Sequence, residues 1–350
     1  MRSLFFWRRQ RHGTPVVTPA IPPAPVAPAA TIATPVAAPV AAPVEPSVLR
    51  QVYALALQDA AAADLHARPA APHMNLLLAA SGEFAQIGTE PRYTPRRPSL
   101  LPQLLEAIND EDSSLRALSR IVAQDPQLTG ELLRTANSAL YRVSANPIES
   151  VERAAAMLGT SGIRTLIAAS LVQPLATGVA GGLGRFGELI WEHSLYSASA
   201  AEAWAARSQD ADPFTAHLLA LMHGLGSVAV YRVLSDLYAA QPTLPPDGAT
   251  IAGALETNAA VTAARIATGW GLSERTRKAL EAQSSAAPVG DPSPLAQALQ
   301  FGLFTGAVTL LCKHGKLPVE GAQERIEAAG FHGAQVARIW DRLLRAYVRP

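Results

Sequence analysis

From residue 115 to the C-terminus, apolar side chains recur at the three- and four-residue spacing of an α-helix. One run of this kind consists of Phe214, Leu218, Leu221, Leu225 and Val228. This spacing places them on one helix face, and no stretch shows the sustained alternation of a half-buried strand. Aromatic residues are only 6% of the chain, whereas alanine and leucine recur throughout, which also favours helices. The sequence therefore predicts an all-α fold, and its 49% hydrophobic content is ample for a sizeable core.

The first 46 residues differ from the rest of the chain. The apolar segment Leu4–Trp7 is followed by three arginines and is far too short to span a bilayer or to act as a secretory signal. Weak docking of this segment on a membrane or a partner stays open beside a disordered terminus. Residues Thr14–Pro46 are almost wholly Pro, Ala, Val and Thr, so they cannot form a helix. We expect a disordered basic start and an extended Pro/Ala-rich spacer.

Proline and glycine divide the remaining chain. A helix is expected from Val48 to Leu65, and the Gly- and Pro-containing segment Ser81–Pro98 is expected to be a loop. The run Gly178–Gly187, after Pro174, is expected to break the chain between two helical lobes. The predicted parts are thus 1–46 (start and linker), 47–97 (helix plus loop), 98–177 (first lobe), 185–290 (second lobe) and 291–350 (C-terminal helices packing on the body).

The first lobe has clear helix signals. Asp125 followed by Pro126 is typical of a helix start, and we expect a helix from Pro126 to about Tyr141 that packs on the helix just before it. Ser150 can cap a short helix that stops at Gly159.

Six motifs, in order, resemble one known family. The first lobe contains QDPQLT from Gln124, LLRTANSALY from Leu132 and IESVERA from Ile148; the second contains WEHS from Trp191, LMHGLG from Leu221 and WGL from Trp270. The set, spanning roughly 98–286, resembles the HDOD domain family, a bacterial output domain related to the HD phosphohydrolases. The resemblance implies an α-helical bundle in a signalling protein, usually without demonstrated catalysis.

The same resemblance suggests where a metal site would lie. His193 falls at the position of the first histidine, and His223 at the His of the His-Asp pair, but Gly224 stands in place of the Asp. Glycine has no ligand atom, and two imidazoles alone make a poor site for a hard metal. Later histidines are also missing; the residues in that stretch are Thr257, Asn258, Ala259 and Gln283. We expect His193 and His223 to be vestigial, and we expect no metal, no cofactor and no catalysis.

A partner or ligand surface is predicted at Asn137, Ser138, Tyr141 and Arg142, late in the first-lobe helix. Polar residues at such a position also bond to the local backbone, which is the alternative for Asn137 and Ser138.

The expected function is that of a regulatory adaptor that binds another signalling protein. The helix pair 115–141 also resembles a helix-turn-helix, which makes a DNA-binding regulator the first alternative, although its second helix offers only two basic contacts, Arg134 and Arg142. A residual HD-type metal-dependent phosphohydrolase ranks third and would need ligands from elsewhere, such as Asp236 or His217. A single Cys312 and a net charge of +1 favour a cytoplasmic protein without a nucleic-acid-binding field, and we expect no transmembrane segment. The sequence leaves the partner and the oligomeric state open.

Overall fold

A computed structural model describes residues 47–57, 68–99, 101–103, 118–119, 122–123, 126–137, 147–177, 184–208, 210–284 and 293–348. The predictions for residues 1–46 therefore lie outside the described residues. The helices are α1 (Val48–Ala56), α2 (Ala71–Gln86), α3 (Pro126–Ala136), α4 (Val151–Thr177), α5 (Gly184–Ala205), α6 (Pro213–Ala239), α7 (Gly248–Gly269), α8 (Glu274–Glu281), α9 (Pro294–Lys313), α10 (Ala322–Ala328) and α11 (Ala334–Leu343), followed by a π-helical turn (Leu344–Val348). The described residues contain no strand, only an isolated bridge between Ile87 and Glu90, so the predicted all-α class is confirmed.

Helix α6 lies at the centre of the core. The predicted face of Phe214 is buried, and so is the opposite face, that of Ala216, because α5, α7 and α9 pack around this helix. The described residues all belong to one compact unit, 45–350, and α4 of the first predicted lobe packs on both α5 and α6. The predicted lobes therefore share one hydrophobic core.

Helix α5 is in extensive contact with α9, which lies in the segment 291–350 predicted to pack on the body. At Gly302 of α9, an added Cβ would lie 2.6 Å from the carbonyl oxygen of Ser197 on α5. Real Cβ atoms do not approach so closely, so glycine is what allows these two backbones to meet. Helix α9 is thus a core element, and α11 closes the bundle with Val336, Ile339, Trp340 and Leu343 buried.

The N-terminal part of the described chain corrects two predictions. Helix α1 ends at Ala56, with Leu57 as its C-cap, so it is shorter than the predicted span to Leu65. The predicted loop Ser81–Pro98 is helical up to Gln86, because α2 buries one side chain per turn against the core, and these are Leu76, Ala80 and Phe84. The helix tolerates Gly82, since that position faces open space.

The first lobe corrects three further boundaries. Helix α3 ends at Ala136, whereas the prediction placed its end at about Tyr141. Directly after this end, the side-chain amide of Asn137 donates hydrogen bonds to the carbonyl oxygens of Leu133 and Ile148. The helix after Ser150 is interrupted at Gly159, whose φ is 71°, as predicted. Pro174 does not break α4, which runs on to Thr177; a proline near a C-terminus removes a single intrahelical bond. Helix α5 begins at Gly184, inside the glycine run expected to break the chain.

Among the residues that the structure describes, three helices are long and apolar enough to cross a membrane, by length and composition: Val151–Ala176, Pro213–Ala239 and Pro294–Lys313. In the second and third, 83% of the apolar window is buried against the rest of the protein, whereas in the first the share is 33%. The second and third are the central helices α6 and α9, for which burial on all faces accounts for the apolar composition.

Candidate functional site

The fold brings His193 and His223 together. His193 lies on α5 and His223 on α6, two helices in extensive contact, and each residue is only 2% exposed. They are close enough for one imidazole to influence the protonation of the other. The two histidines singled out in the sequence are therefore neighbours in the structure.

Both imidazoles are held in the neutral form. Burial lowers the pKa of His193 to about 4, although the carbonyl of Leu303 opposes this shift. Burial, together with the neighbouring His193, lowers the pKa of His223 to about 3. The Nε2 atom of His193 lies 3.2 Å from the carbonyl oxygen of Leu303 and 3.1 Å from Oγ of Ser197, so protein groups already surround this nitrogen.

Gly224 marks the point where α6 comes closest to α5. An added Cβ would overlap Oγ of Ser194 and lie 3.2 Å from the Ser194 Cβ and 3.7 Å from Cγ2 of Ile190. The Ser194 hydroxyl donates a 2.7 Å hydrogen bond to the carbonyl oxygen of Ile190. In this arrangement Ser194 of α5 occupies the position that a Cβ of residue 224 would take.

The two residues considered as substitute ligands are engaged elsewhere. The Nδ1 atom of His217 lies 3.0 Å from Oε2 of Glu202. Asp236, near the far end of α6, accepts a 2.8 Å hydrogen bond from the hydroxyl of Tyr93 and pairs with Arg92 at 3.6 Å. Neither residue reaches the His193–His223 pair through these contacts.

The positions at which further ligands were sought also bond to backbone. Oγ1 of Thr257 donates to the carbonyl of Gly253, the amide of Asn258 donates to Ala254, and the amide of Gln283 donates to two carbonyl oxygens, those of Ala279 and Ala296. Within the described part of the chain, no group of three or more His, Cys, Asp or Glu residues is placed to hold a metal ion. Among the residues that the structure describes, the metal donors identified at this place are the two imidazoles, and the HD phosphohydrolase pattern would add a carboxylate to them.

Helix α1 contributes a residue to this region that sequence reasoning missed. The hydroxyl of Tyr53, a fully buried residue, lies 2.9 Å from Oγ of Ser227. Ser227 is one turn beyond His223 on α6, and its hydroxyl donates to the His223 carbonyl oxygen at 3.2 Å. In the sequence Tyr53 stands out only as a tyrosine in an alanine-rich stretch. Nothing there links it to Ser227, because the two residues are 174 positions apart.

The predicted first-lobe surface is only partly described, since Ser138, Tyr141 and Arg142 lie outside the described residues. The Asn137 amide donates to the carbonyl oxygens of Leu133 and Ile148 and accepts from the Ile148 N–H, each at 2.8 Å. This side chain thus joins the end of α3 to residues 147–148. The role of the four residues as a partner surface stays a prediction.

A second polar centre lies on the outer face of α5, beside a groove of about 670 Å³ lined by Trp191, Tyr196 and Tyr347 among others. Burial alone would raise the pKa of Glu192, but hydrogen bonds from Lys313, Tyr196 and His314 hold it below its ordinary value. This network joins α5 to the end of α9. It stabilises the bundle and does not involve the histidine pair.

Comparisons with known proteins agree with this architecture. A family model described as the HDOD domain matches residues 94–286, while no curated protein matches the chain. A presumed metal-dependent phosphohydrolase from Shewanella amazonensis SB2B is 16% identical, with a TM-score of 0.53 over 78% of this chain and 99% of that one. An HDOD domain protein of unknown function from Geobacter sulfurreducens is 20% identical, with a TM-score of 0.51 over 78% and 90% of the two chains.

A presumed signal transduction protein from Marinobacter aquaeolei VT8 is 18% identical, with a TM-score of 0.50 over 81% of this chain and 65% of that one. At these identities the structural likeness speaks for the fold alone. The family match covers more than half of the sequence and includes His193 and His223. The chain therefore belongs to the HDOD domain family.

Proposed function

We propose that this protein is a non-catalytic signalling adaptor that acts by binding another protein. The observation that carries the proposal is Gly224, which has no ligand atom and packs directly against Ser194 of α5. Metal-assisted phosphoester hydrolysis needs ligands that fix the ion and leave a position for water. Two buried imidazoles, one of them already in contact with Leu303 and Ser197, do not supply that arrangement.

Phosphohydrolase activity is the alternative suggested by the name of the Shewanella protein. That protein is 16% identical to this one, and at such an identity the likeness supports a shared fold but not a shared reaction. Support for the alternative would have to come from ligands outside the described residues.

DNA binding has less support. In α3, which would be the recognition helix, the only basic residue is Arg134. Two arginines of the neighbouring basic loop contact the protein itself: Arg97 donates to the Trp270 carbonyl at 2.9 Å and Arg92 pairs with Asp236. Phosphate binding usually draws on many more cationic side chains than this helix pair provides.

We also propose that the protein works in the cytoplasm without a transmembrane segment. The burial of α6 and α9 inside the bundle supports this reading of their apolar composition, as does the lone Cys312, which is buried and unpaired.

Turnover tests the proposal. The purified full-length chain, supplied with Mn²⁺, should hydrolyse neither cyclic dinucleotides nor nucleoside phosphates above a blank. Metal-dependent turnover that His223→Ala abolishes and His332→Ala, at an exposed histidine, leaves intact would contradict the adaptor function and assign the reaction to the histidine pair.

A further inference from the structure

Helix α1 depends on the rest of the protein for its helical state. It has nine residues, and isolated helices of fewer than about 12–15 residues are marginal in water. It also precedes the region that matches the family, residues 94–286, yet it packs against three core helices, α5, α7 and α9. The groove between these helices therefore holds α1 as a bound segment.

The floor of the groove recognises one face of α1. The buried side chains are spaced as in an amphipathic helix and are Val48, Val52, Tyr53 and Ala56. Tyr53 is the deepest anchor, and its hydroxyl meets Ser227 at 2.9 Å. Burial raises the pKa of Tyr53 above its ordinary value, so the hydroxyl stays protonated and can donate to Ser227. The groove thus combines apolar contact with one specific polar group.

The rim of the groove carries a complementary charge. Glu256 of α7 accepts a hydrogen bond from the Ser47 hydroxyl and pairs with Arg50, whose Nε lies 3.6 Å from Oε2 of Glu256. The Arg50 guanidinium passes over Gly253, where any Cβ would overlap it. The absence of a side chain at residue 253 therefore leaves a channel for a cation. The groove thus offers the Glu256 carboxylate to a cation and the Ser227 hydroxyl to an aromatic hydroxyl.

We propose that this groove is a receptor for an amphipathic partner helix and that α1 is its resident, displaceable occupant. The partner helix presents a cation to Glu256 and, three residues later, an aromatic hydroxyl to Ser227, as Arg50 and Tyr53 do in α1. This inference deepens the proposed adaptor function, on which it rests for the existence of a protein partner, by naming the site at which that partner binds. Such docking follows the helix-in-groove mode of peptide recognition.

Peptide exchange tests the inference directly. The probe is a fluorescein-labelled peptide of residues 47–57, titrated by anisotropy into the full-length chain and into its Tyr53→Ala variant. Because the variant's own α1 has lost its main anchor, we expect the peptide to bind it at least tenfold more tightly than the unmodified chain. A peptide carrying the same Tyr53→Ala change is the control and should bind neither chain.

Failure of the peptide to bind a Tyr53→Ala chain that retains its helical circular dichroism would overturn the inference. Should that variant not fold, hydrogen exchange on the unmodified chain decides. A displaceable α1 exchanges its Val52–Ala56 amides at least 100-fold faster than the amides in the middle of α9, whereas equal rates mean that α1 leaves only when the whole protein unfolds. Metal-dependent turnover would contradict the adaptor function without changing the peptide result, so failure of the proposed function and failure of this inference can be distinguished.

Discussion

Acidification should destabilise the fold through its buried histidine pair. The folded pKa values of His193 and His223 are about 4 and about 3, below the value of about 6.5 for an exposed histidine. Each imidazole therefore takes up a proton on unfolding, and the stability this represents is present above pH 6.5 and is lost as the pH falls. Between pH 7 and pH 5, each should cost about 2 kcal/mol, or about 4 kcal/mol for the pair.

Urea unfolding followed by circular dichroism at 222 nm, at pH 5, 6 and 7, measures this loss. The matched variant is His223→Gln, which keeps a polar side chain but removes one titrating group. Its free energy of unfolding should fall by about 2 kcal/mol less than that of the unmodified protein over this interval. Carboxylates contribute little above pH 5, so the difference isolates the histidine. An identical pH dependence of the two proteins would refute the reasoning that His223 is buried in its neutral form.

Other predictions concern packing, local hydrogen bonding and thiol chemistry. At Gly226 an added Cβ would lie 2.8 Å from a backbone nitrogen of α7, whereas at Gly224 the atom in the way is a serine hydroxyl that can rotate. In thermal unfolding, Gly226→Ala should therefore lower the free energy of unfolding by about 3 kcal/mol and Gly224→Ala by about 1–2 kcal/mol. Asn137→Ala removes three hydrogen bonds to backbone and should cost about 2–3 kcal/mol by urea unfolding; a loss below 0.5 kcal/mol would contradict this account. Burial raises the pKa of Cys312 to about 11, so a thiol reagent at pH 8 should modify the native protein roughly 100-fold more slowly than the unfolded chain; similar rates would show that the thiol is accessible.

The helical core could be predicted from the sequence because its apolar residues repeat at the helical period over long stretches. Helix α6 is the clearest case, since Phe214 and Ala216 mark two apolar faces and both are buried. Helix ends were predicted less well where side-chain contacts decide them. The end of α3 depends on the bonds that Asn137 makes to Ile148, which the spacing of apolar residues does not record.

At the candidate site, too, the sequence predicts some features and only the fold reveals others. The lack of a carboxylate could be read directly from Gly224, but only the fold reveals that Ser194 occupies the space beside it. Tyr53 could not be linked to Ser227 from the sequence, because the contact joins residues 174 positions apart. The family resemblance thus pointed to His193, His223 and Gly224, while tertiary packing decided what surrounds them.

The packing around His193 gives this residue a structural role. His193 contacts Ser197 on its own helix and the carbonyl of Leu303 on α9, so it helps to join α5 to α9. A buried polar group with such partners contributes to structure as long as they remain in place. We therefore expect His193 to matter for stability whether or not any ligand ever binds.

Metal content tests the central claim most directly. The full-length protein, dialysed against excess Mn²⁺ and then against metal-free buffer, is measured by inductively coupled plasma mass spectrometry beside its His193→Gln variant. The account predicts far less than one metal ion per chain in both proteins. One ion per chain in the unmodified protein, lost in the variant, would contradict it and restore the metal-dependent reading of the His193–His223 site.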